Sequence, residues 1–280
     1  MKGKKCLVTG ATSGIGEGIA QALARKGAEV IIVSRNKEKC IRTVSQIKEQ
    51  TGNSAVTYYQ ADLSSQQNIR QLAADIKKKY SDLDVLVNNA GGFFWKRRES
   101  ADGIEMTFAL NHLNYFLLTN LLLDLLTKGA PARIVNTTSG MHKNQVIDFN
   151  DLELKRNYLH FKAYGKSKLA NIYFTYELAR RLDDSEVTVN AFNPGFTKSN
   201  IAKEGNLAAH FFAPLTNIFS NPTEKGADTG VYLASSPQVE GVSGKYFTER
   251  KPIPSSDISY DREIARQLWH RSEELTGMVQ

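Results

Sequence analysis

The sequence predicts an α/β domain: a mostly seven-stranded parallel sheet, doubly wound between two layers of helices. Three observations carry the prediction. Short β-branched runs alternate with segments of helical periodicity along the whole chain, the pattern of repeated β-α-β units. The runs are continuously apolar rather than alternating, as strands covered on both faces are. No linker, low-complexity stretch or internal repeat interrupts the 280 residues, so residues 1–280 read as one domain.

In order, residues 5–9 form an apolar run feeding a glycine-rich turn, and helical spacing follows over 14–26 with Gly27 as a stop. Residues 29–33 read as a strand, 37–50 as a polar helix, 55–60 as a strand, and 66–80 as a helix with apolar positions Ile69, Leu72, Ala73 and Ile76. Then come a strand at 83–87, a long helix at 101–127, a strand at 133–137 and a second long helix at 157–182. A strand at 187–192, a helix at 223–234, a short strand at 244–247 and a helix at 261–276 complete the chain. The irregular stretches 91–100, 140–155, 196–222 and 249–257 all follow strands. They should rim the crevice beyond the strands' carboxyl ends, where open parallel sheets bind ligands.

Composition narrows the function classes. The chain is 41% hydrophobic and 23% charged, ordinary for a soluble protein, and carries a formal charge of +7. Its basic residues are scattered. The densest runs, Lys77-Lys78-Lys79 and Lys96-Arg97-Arg98, are too short for a nucleic-acid track, so no nucleic-acid partner is expected. Cys6 and Cys40 form no CxxC pair and no metal spacing, which implies reduced thiols, a cytosol-like compartment and no bound metal. The amino terminus enters a strand at once, leaving no room for a signal peptide, and residues 117–126 are interrupted by Thr119, Asn120 and Asp124. No stretch is long and apolar enough to span a bilayer, so the expectation is a soluble, cytoplasmic protein.

The first turn, Thr9-Gly10-Ala11-Thr12-Ser13-Gly14-Ile15-Gly16, lies between strand one and helix one. Its glycines permit a tight turn and close backbone approach, and the helix start presents free N–H groups to a pyrophosphate. Gly10, Ser13, Gly14, Ile15 and Gly16 are therefore candidate dinucleotide contacts. Strand two ends in Val33-Ser34-Arg35-Asn36-Lys37. It lacks the acid that would meet a ribose 2′-hydroxyl, whereas the Arg35 guanidinium suits a 2′-phosphate. That predicts NADP(H) over NAD(H), with Arg35 and Asn36 as contacts. Asp62-Leu63 could meet the adenine edge, or Asp62 could cap the next helix. In Asn88-Asn89-Ala90-Gly91 the asparagines could stitch strands while Asn89, Ala90 and Gly91 leave room for the ribose.

Tyr164 and Lys168 stand four residues apart in a helical segment, on one face. A cation beside a phenol lowers its pKa from the usual ~10, so this pair could trade a proton with an alcohol or carbonyl. Taken alone, the pair reads more simply as two unrelated surface residues.

Together with Asn111, Ser139 and Pro194-Gly195, these motifs resemble the short-chain dehydrogenase/reductase superfamily over nearly the whole chain. A narrower resemblance is to the retinol dehydrogenase, protochlorophyllide-reductase-like and WW-domain-oxidoreductase-like branch. It is carried by Asn111-His112-Leu113-x-x-Phe116-Leu117-Leu118-Thr119, by Ala163-Tyr164-x-x-Ser167-Lys168-Leu169-Ala170-Asn171, and by the 25 positions between Ser139 and Tyr164. Asn114, Thr138-Ser139 and the segment 92–98 depart from that branch, and the amino-terminal anchor of many branch members is not expected here.

The resemblance implies a Rossmann domain, with residues 1–100 mainly the cofactor half, 101–280 the catalytic and substrate half, and 196–222 a mobile substrate loop. It implies a catalytic tetrad of Asn111, Ser139, Tyr164 and Lys168. Tyr164 would be the proton donor, Ser139 the group polarising the carbonyl oxygen, Lys168 the cation lowering the tyrosine pKa and bonding the ribose, and Asn111 the holder of a relay water. Pro194 and Gly195 set a turn. Thr197 is placed for the nicotinamide carboxamide, fixing pro-S hydride transfer, or is a helix cap. The branch implies NADP(H) and a small lipophilic carbonyl or alcohol substrate. The runner-up is a carbonyl reductase of xenobiotic or polyketide-type ketones, and a third reading is a non-catalytic NADP(H) sensor.

The pocket is expected from Phe93, Phe94, Trp95, Met141, His142 and the loop residues Ile201, Leu207, His210, Phe211, Phe212 and Phe219. If exposed, that apolar set makes a lid or a peripheral contact with a membrane surface. His142 and His112 read more simply as structural histidines. The long helices build homodimers in the superfamily, so a homodimer is a further expectation of the resemblance.

Overall fold

The computed structural model describes residues 1–195 and 223–279. The strands are β1 (Lys5–Thr9), β2 (Glu29–Ser34), β3 (Val56–Gln60), β4 (Val85–Asn88), β5 (Ala132–Thr137), β6 (Val187–Asn193), β7 (Lys245–Thr248) and β8 (Lys251–Pro252). They form one sheet in the order β3-β2-β1-β4-β5-β6-β7-β8. The first seven in sequence run parallel, as predicted, and β8 adds a short antiparallel edge on β7. Strand order reverses between β1 and β4. Loops leaving those two strands therefore diverge and open a crevice at their carboxyl ends.

Alternation along the strands feeds two cores. From β1 and β2, Leu7, Ile31 and Val33 face one side and Cys6, Val8, Val30 and Ile32 the other. The first side packs on α3 (Gln66–Lys79), α5 (Asn114–Lys128) and α6 (His160–Arg181) through Ile69, Leu72, Phe116, Leu122 and Phe174. The second packs on α1 (Gly14–Arg25), α2 (Lys37–Thr51) and α7 (Thr223–Ser235) through Ile19, Leu23, Ile47 and Leu233. The last helix, α8 (Arg262–Thr276), seats Trp269 against Phe116 and Phe174. Among the described residues no helix is long and apolar enough to cross a membrane.

The structure corrects three boundaries. Residues 101–105 are not helical. The Ser100 hydroxyl oxygen accepts from the backbone of Asp102 and Ile104, and Glu99 bridges Glu105. The helix starts only at α4 (Met106–Phe108), where the Glu105 carboxylate accepts from the N–H groups of Thr107 and Phe108, each at 2.8 Å. It then passes through a π-helical turn (Ala109–Leu113) into α5. The second long helix begins at His160, not at 157. The strand expected at 83–87 is shifted to β4, since the Leu83 N–H bonds to the Leu125 carbonyl in α5 instead of to a neighbouring strand. Residues 140–155 hold two short 3₁₀ turns, and the buried Lys166 ammonium ties the second to α6 by donating to the carbonyls of Asp151 (3.1 Å) and Leu152 (3.4 Å). The stretch expected to be a mobile loop, 196–222, lies outside the described residues.

Asn88 and Asn136 sit opposite each other on β4 and β5, both fully buried. Asn88 Nδ2 donates to Thr119 Oγ1 and to Asn136 Oδ1, both at 2.9 Å, and Asn136 Nδ2 donates to Thr175 Oγ1 at 3.0 Å. This chain of side-chain bonds runs across the sheet from α5 to α6. Asn136→Ala strands a donor of Asn88 in a dry interior and removes the bond that Thr175 Oγ1 accepts, while that hydroxyl keeps its own bond to the Asn171 carbonyl. It should cost roughly 1–3 kcal/mol of stability, readable as a lower urea midpoint with an unchanged slope.

Candidate active site

The glycine turn packs directly on the end of β4. Gly10 has φ +64°, and a Cβ there would lie 2.8 Å from Ala90 Cα; a Cβ on Gly16 would overlap the Asn89 side chain. Asn89 Nδ2 donates to the carbonyls of Thr9 (2.9 Å) and Gly10 (3.3 Å), and Thr9 Oγ1 accepts from the N–H groups of Asn89 (2.9 Å) and Ala90 (3.0 Å). The turn and the Asn-Asn-Ala-Gly segment are thus one braced unit. Ser13 is the exposed N-cap of α1, and its side chain makes no capping bond. Gly14, Ile15 and Gly16 open the helix with N–H groups that lack intrahelical acceptors, a fit for an anionic group.

At the end of β2 the Ser34 hydroxyl hydrogen-bonds the Thr12 hydroxyl at 2.9 Å, which brings exposed Arg35 beside the glycine turn. Asn36 caps α2, its Oδ1 accepting from Lys39 N–H at 2.7 Å. Asp62 does not cap α3; Ser65 does. Asp62 is exposed and folds its carboxylate onto Ser64, while Leu63 is buried beneath it. Pro194 and Gly195 follow β6, with Gly195 N–H donating to Asn193 Oδ1 at 3.1 Å. Thr197 and the loop residues Ile201, Leu207, His210, Phe211, Phe212 and Phe219 lie outside the described residues.

Tyr164, Ser167 and Lys168 come from the first turns of α6, Ser139 from the end of β5, and Asn111 from the π turn. Lys168 is 3% exposed, and its Nζ donates to the Thr137 carbonyl at 3.2 Å. The ammonium lies 5.5 Å from the centroid of the Tyr164 ring. The Asn111 side chain is fully engaged. Its Oδ1 accepts from Gly92 N–H at 2.8 Å, and its Nδ2 donates to the Gly92 carbonyl and to Ser167 Oγ, both at 3.0 Å. A Cβ on Gly91 would sit 3.1 Å from Asn111 Oδ1 and 3.6 Å from Lys168 Nζ, so Gly91 marks where the two groups converge. Asn111 is thereby a clamp on the Gly92 backbone, and its own carbonyl accepts from Asn171 Nδ2 at 2.8 Å.

The electrostatics reverse one expectation. Burial pushes the Tyr164 pKa up to about 12, with the Ser139 hydroxyl only partly offsetting it. Burial likewise lowers the Lys168 pKa to about 7. The cation expected to pull the phenol down is itself destabilised, because both groups leave water together and Lys168 has one carbonyl as its hydrogen-bond acceptor.

His142, a candidate pocket residue read more simply as structural, is fully buried. Its Nδ1 bonds the Ser139 carbonyl at 2.8 Å and its Nε2 accepts from Ser256 N–H at 3.1 Å. This brace joins the serine turn to residues 249–257 and holds the histidine with its proton on Nδ1. His112 is a satisfied core residue between Asn171 and Ser272, its pKa lowered to about 4 by burial. The aromatic wall is real but larger than expected. Phe93 packs on Trp95 (5.3 Å), His160 (5.4 Å), Phe161 (5.3 Å) and Tyr164 (5.6 Å between centroids). Sequence reading missed Tyr158, whose hydroxyl donates to the Phe94 carbonyl at 2.8 Å and lies 3.3 Å from Thr107 Oγ1. It also missed Ser167, which sits inside the Tyr-x-x-x-Lys segment and was legible there as the third position on the same helix face.

Comparison with known proteins shows the family. A family model for short chain dehydrogenases matches residues 4–209. Human retinol dehydrogenase 14 is 39% identical over 297 residues, spanning 100% of this chain and 88% of that protein. Human polyprenol dehydrogenase is 40% identical over 281 residues, spanning 98% of this chain and 85% of that protein. Among solved structures, the Pseudomonas aeruginosa RhlG/NADP active-site complex superposes with a TM-score of 0.70 at 30% identity, over 88% of this chain and 94% of that one.

The depressed Lys168 pKa makes a stability prediction. In the folded protein this lysine titrates near 7, against an ordinary 10.5. Between those values the unfolded chain binds the extra proton, so this group's contribution to stability rises with pH across that window and is lowest below about 7. Each pH unit between the two pKa values is worth about 1.4 kcal/mol, partly returned because the Thr137 carbonyl loses the shorter of its two side-chain donors, keeping the Tyr115 hydroxyl at 3.5 Å. Lys168→Met should therefore be roughly 2–4 kcal/mol more stable than the parent at pH 6.5, with the difference shrinking toward pH 10. A difference constant across that range in urea titrations would show that Lys168 titrates normally.

Proposed function

The chain belongs to the short-chain dehydrogenase family as an oxidoreductase acting on CH–OH groups and related to the retinol dehydrogenases, and from this we propose that it moves a hydride between NADP(H) and a lipophilic aldehyde or ketone, or the matching alcohol. The observation that carries the reading is the convergence of Tyr164, Lys168 and Ser139 beyond the carboxyl end of β5, beside the braced glycine turn. Residues 1–100 serve mainly the cofactor and residues 101–280 the substrate. When bound, the nicotinamide cofactor supplies or accepts the hydride.

The chain's own groups handle the proton and the oxygen. Tyr164, protonated at neutral pH with its pKa near 12, gives its proton to the oxygen of a carbonyl being reduced. The Ser139 hydroxyl donates to the same oxygen and stabilises the charge that develops there. Lys168 titrates near neutrality; in its charged form it favours the phenolate left behind, which is the form that serves as base for alcohol oxidation. Asn111 keeps the Gly91–Gly92 backbone seated against Lys168.

Support for NADP(H) comes from Arg35 at the end of β2 and the absence of an acid over residues 34–37. Support for a lipophilic substrate comes from the ring wall of Phe93, Trp95 and Phe161 next to Tyr164, and from relatives named for retinol and polyprenol.

Tyr164→Phe should lower turnover by about 10²–10⁴-fold while leaving NADPH affinity within about twofold; near-parental kcat would sink the mechanism. Arg35→Asp should raise the KM for NADPH by roughly 10–100-fold, as expected for a lost charge-assisted contact, with no comparable loss for NADH. An unchanged KM for NADPH would remove the case for the 2′-phosphate. The substrate class is read by following NADPH oxidation with retinal, long-chain aliphatic aldehydes, aromatic aldehydes and bulky ketones, using Tyr164→Phe as the blank. Preference for a small polar carbonyl over all of these would overturn the lipophilic assignment.

A further inference from the structure

Tyr115 is a fully buried tyrosine that the mechanism leaves unused. It lies in the first turn of α5, just beyond the π turn that carries Asn111. The Lys168 ammonium sits over its ring, 5.6 Å from the centroid, and 5.5 Å from the centroid of Tyr164. The Tyr115 hydroxyl reaches the Thr137 carbonyl at 3.5 Å, the same oxygen that accepts from Lys168 at 3.2 Å. Burial raises the Tyr115 pKa well above its ordinary value, reinforced by the nearness of Tyr164, so the phenol stays neutral and offers the cation a ring face, not a negative charge.

An ammonium out of water needs compensation. Lys168 forms no ion pair with a carboxylate among the described residues. The titratable groups that face it are Tyr164 on its own helix and Tyr115 on α5; β5 contributes the neutral Thr137 carbonyl, and the π turn the neutral Asn111 amide. The compensation thus comes from one carbonyl and two aromatic faces. The face of an aromatic ring attracts a cation through its quadrupole, most strongly where water is excluded.

We propose that Tyr115 is a positioning residue: with Tyr164 it cups the Lys168 ammonium between two rings, holding the cation in place on the Thr137 carbonyl. The ring is the working part. The hydroxyl serves packing at the shared carbonyl. For turnover, this inference rests on the role given to Lys168 above; for the state of Lys168 itself it does not.

The test separates the two. Lys168 Nζ is titrated by ¹⁵N NMR in the full-length protein labelled at lysine, with its resonance assigned by its loss in Lys168→Met. Tyr115→Leu should lower the midpoint by about one pH unit, and Tyr115→Phe should hold it within a few tenths. Replacing Tyr115 by pentafluorophenylalanine keeps the ring's shape but cancels the attraction of its face, and should shift the midpoint as Tyr115→Leu does. This variant decides the matter if Tyr115→Leu does not fold. A midpoint unmoved by both leucine and the fluorinated ring overturns the proposal, as does a Tyr115→Phe shift equal to that of Tyr115→Leu. In carbonyl reduction, the alkaline limb of kcat should move down with the NMR midpoint. A midpoint that moves while the limb stays put supports the role of Tyr115 and counts against the function assigned to Lys168.

Discussion

The Lys168 ammonium is held inside the protein by one backbone carbonyl, that of Thr137, and much of the surrounding architecture is arranged around that contact. Thr137 closes β5, so the carbonyl's position is set by the parallel sheet, where Thr137 lies opposite Phe192 of β6. Lys168 stands in α6, whose packing on the same sheet brings the side chain inward. A charge so placed is tolerated only where its neighbours are fixed. Here the neighbours are a glycine backbone clamped by Asn111 and two tyrosine rings.

The same economy of means recurs around the crevice. Asparagine amides bridge backbone that no strand ladder reaches: Asn89 joins the glycine turn to β4, Asn111 holds Gly92, and Asn171 holds Asn111. Asn88 and Asn136 link the middle strands to helices on one face. An amide carries both donor and acceptor without net charge, so it can satisfy two backbone groups in a dry place without the desolvation cost of an ion.

The strands were legible because their apolar runs are uninterrupted and turn residues punctuate them. The glycine turn and the Tyr164–Lys168 pair were legible because spacing alone puts them on one loop and one helix face. Residues 101–105 misled because Ala101, Ile104 and Phe108 fall at helical spacing, while the helix start is set by the Ser100 hydroxyl accepting from Ile104 N–H and by Glu105 acting as cap. The tyrosine pKa misled for a different reason. Proximity to a lysine is visible in a sequence, but whether that lysine is solvated is not, and desolvation outweighs proximity here. The simpler reading of His142 as structural stands: it is fully buried and braces the serine turn against Ser256.

One contrast in the site bears on how such a protein can diversify. The groups assigned to chemistry are braced from beneath by hydrogen bonds to backbone, through Asn111, Ser167, Thr137 and His142. The wall beside Tyr164 is held largely by rings touching rings, among Phe93, Trp95, His160 and Phe161. Ring contacts tolerate exchange of one bulky side chain for another far better than a buried amide tolerates loss of its partner. Inheritance can therefore redraw the shape of molecule admitted, one aromatic at a time, while the apparatus that moves the proton is passed on unaltered.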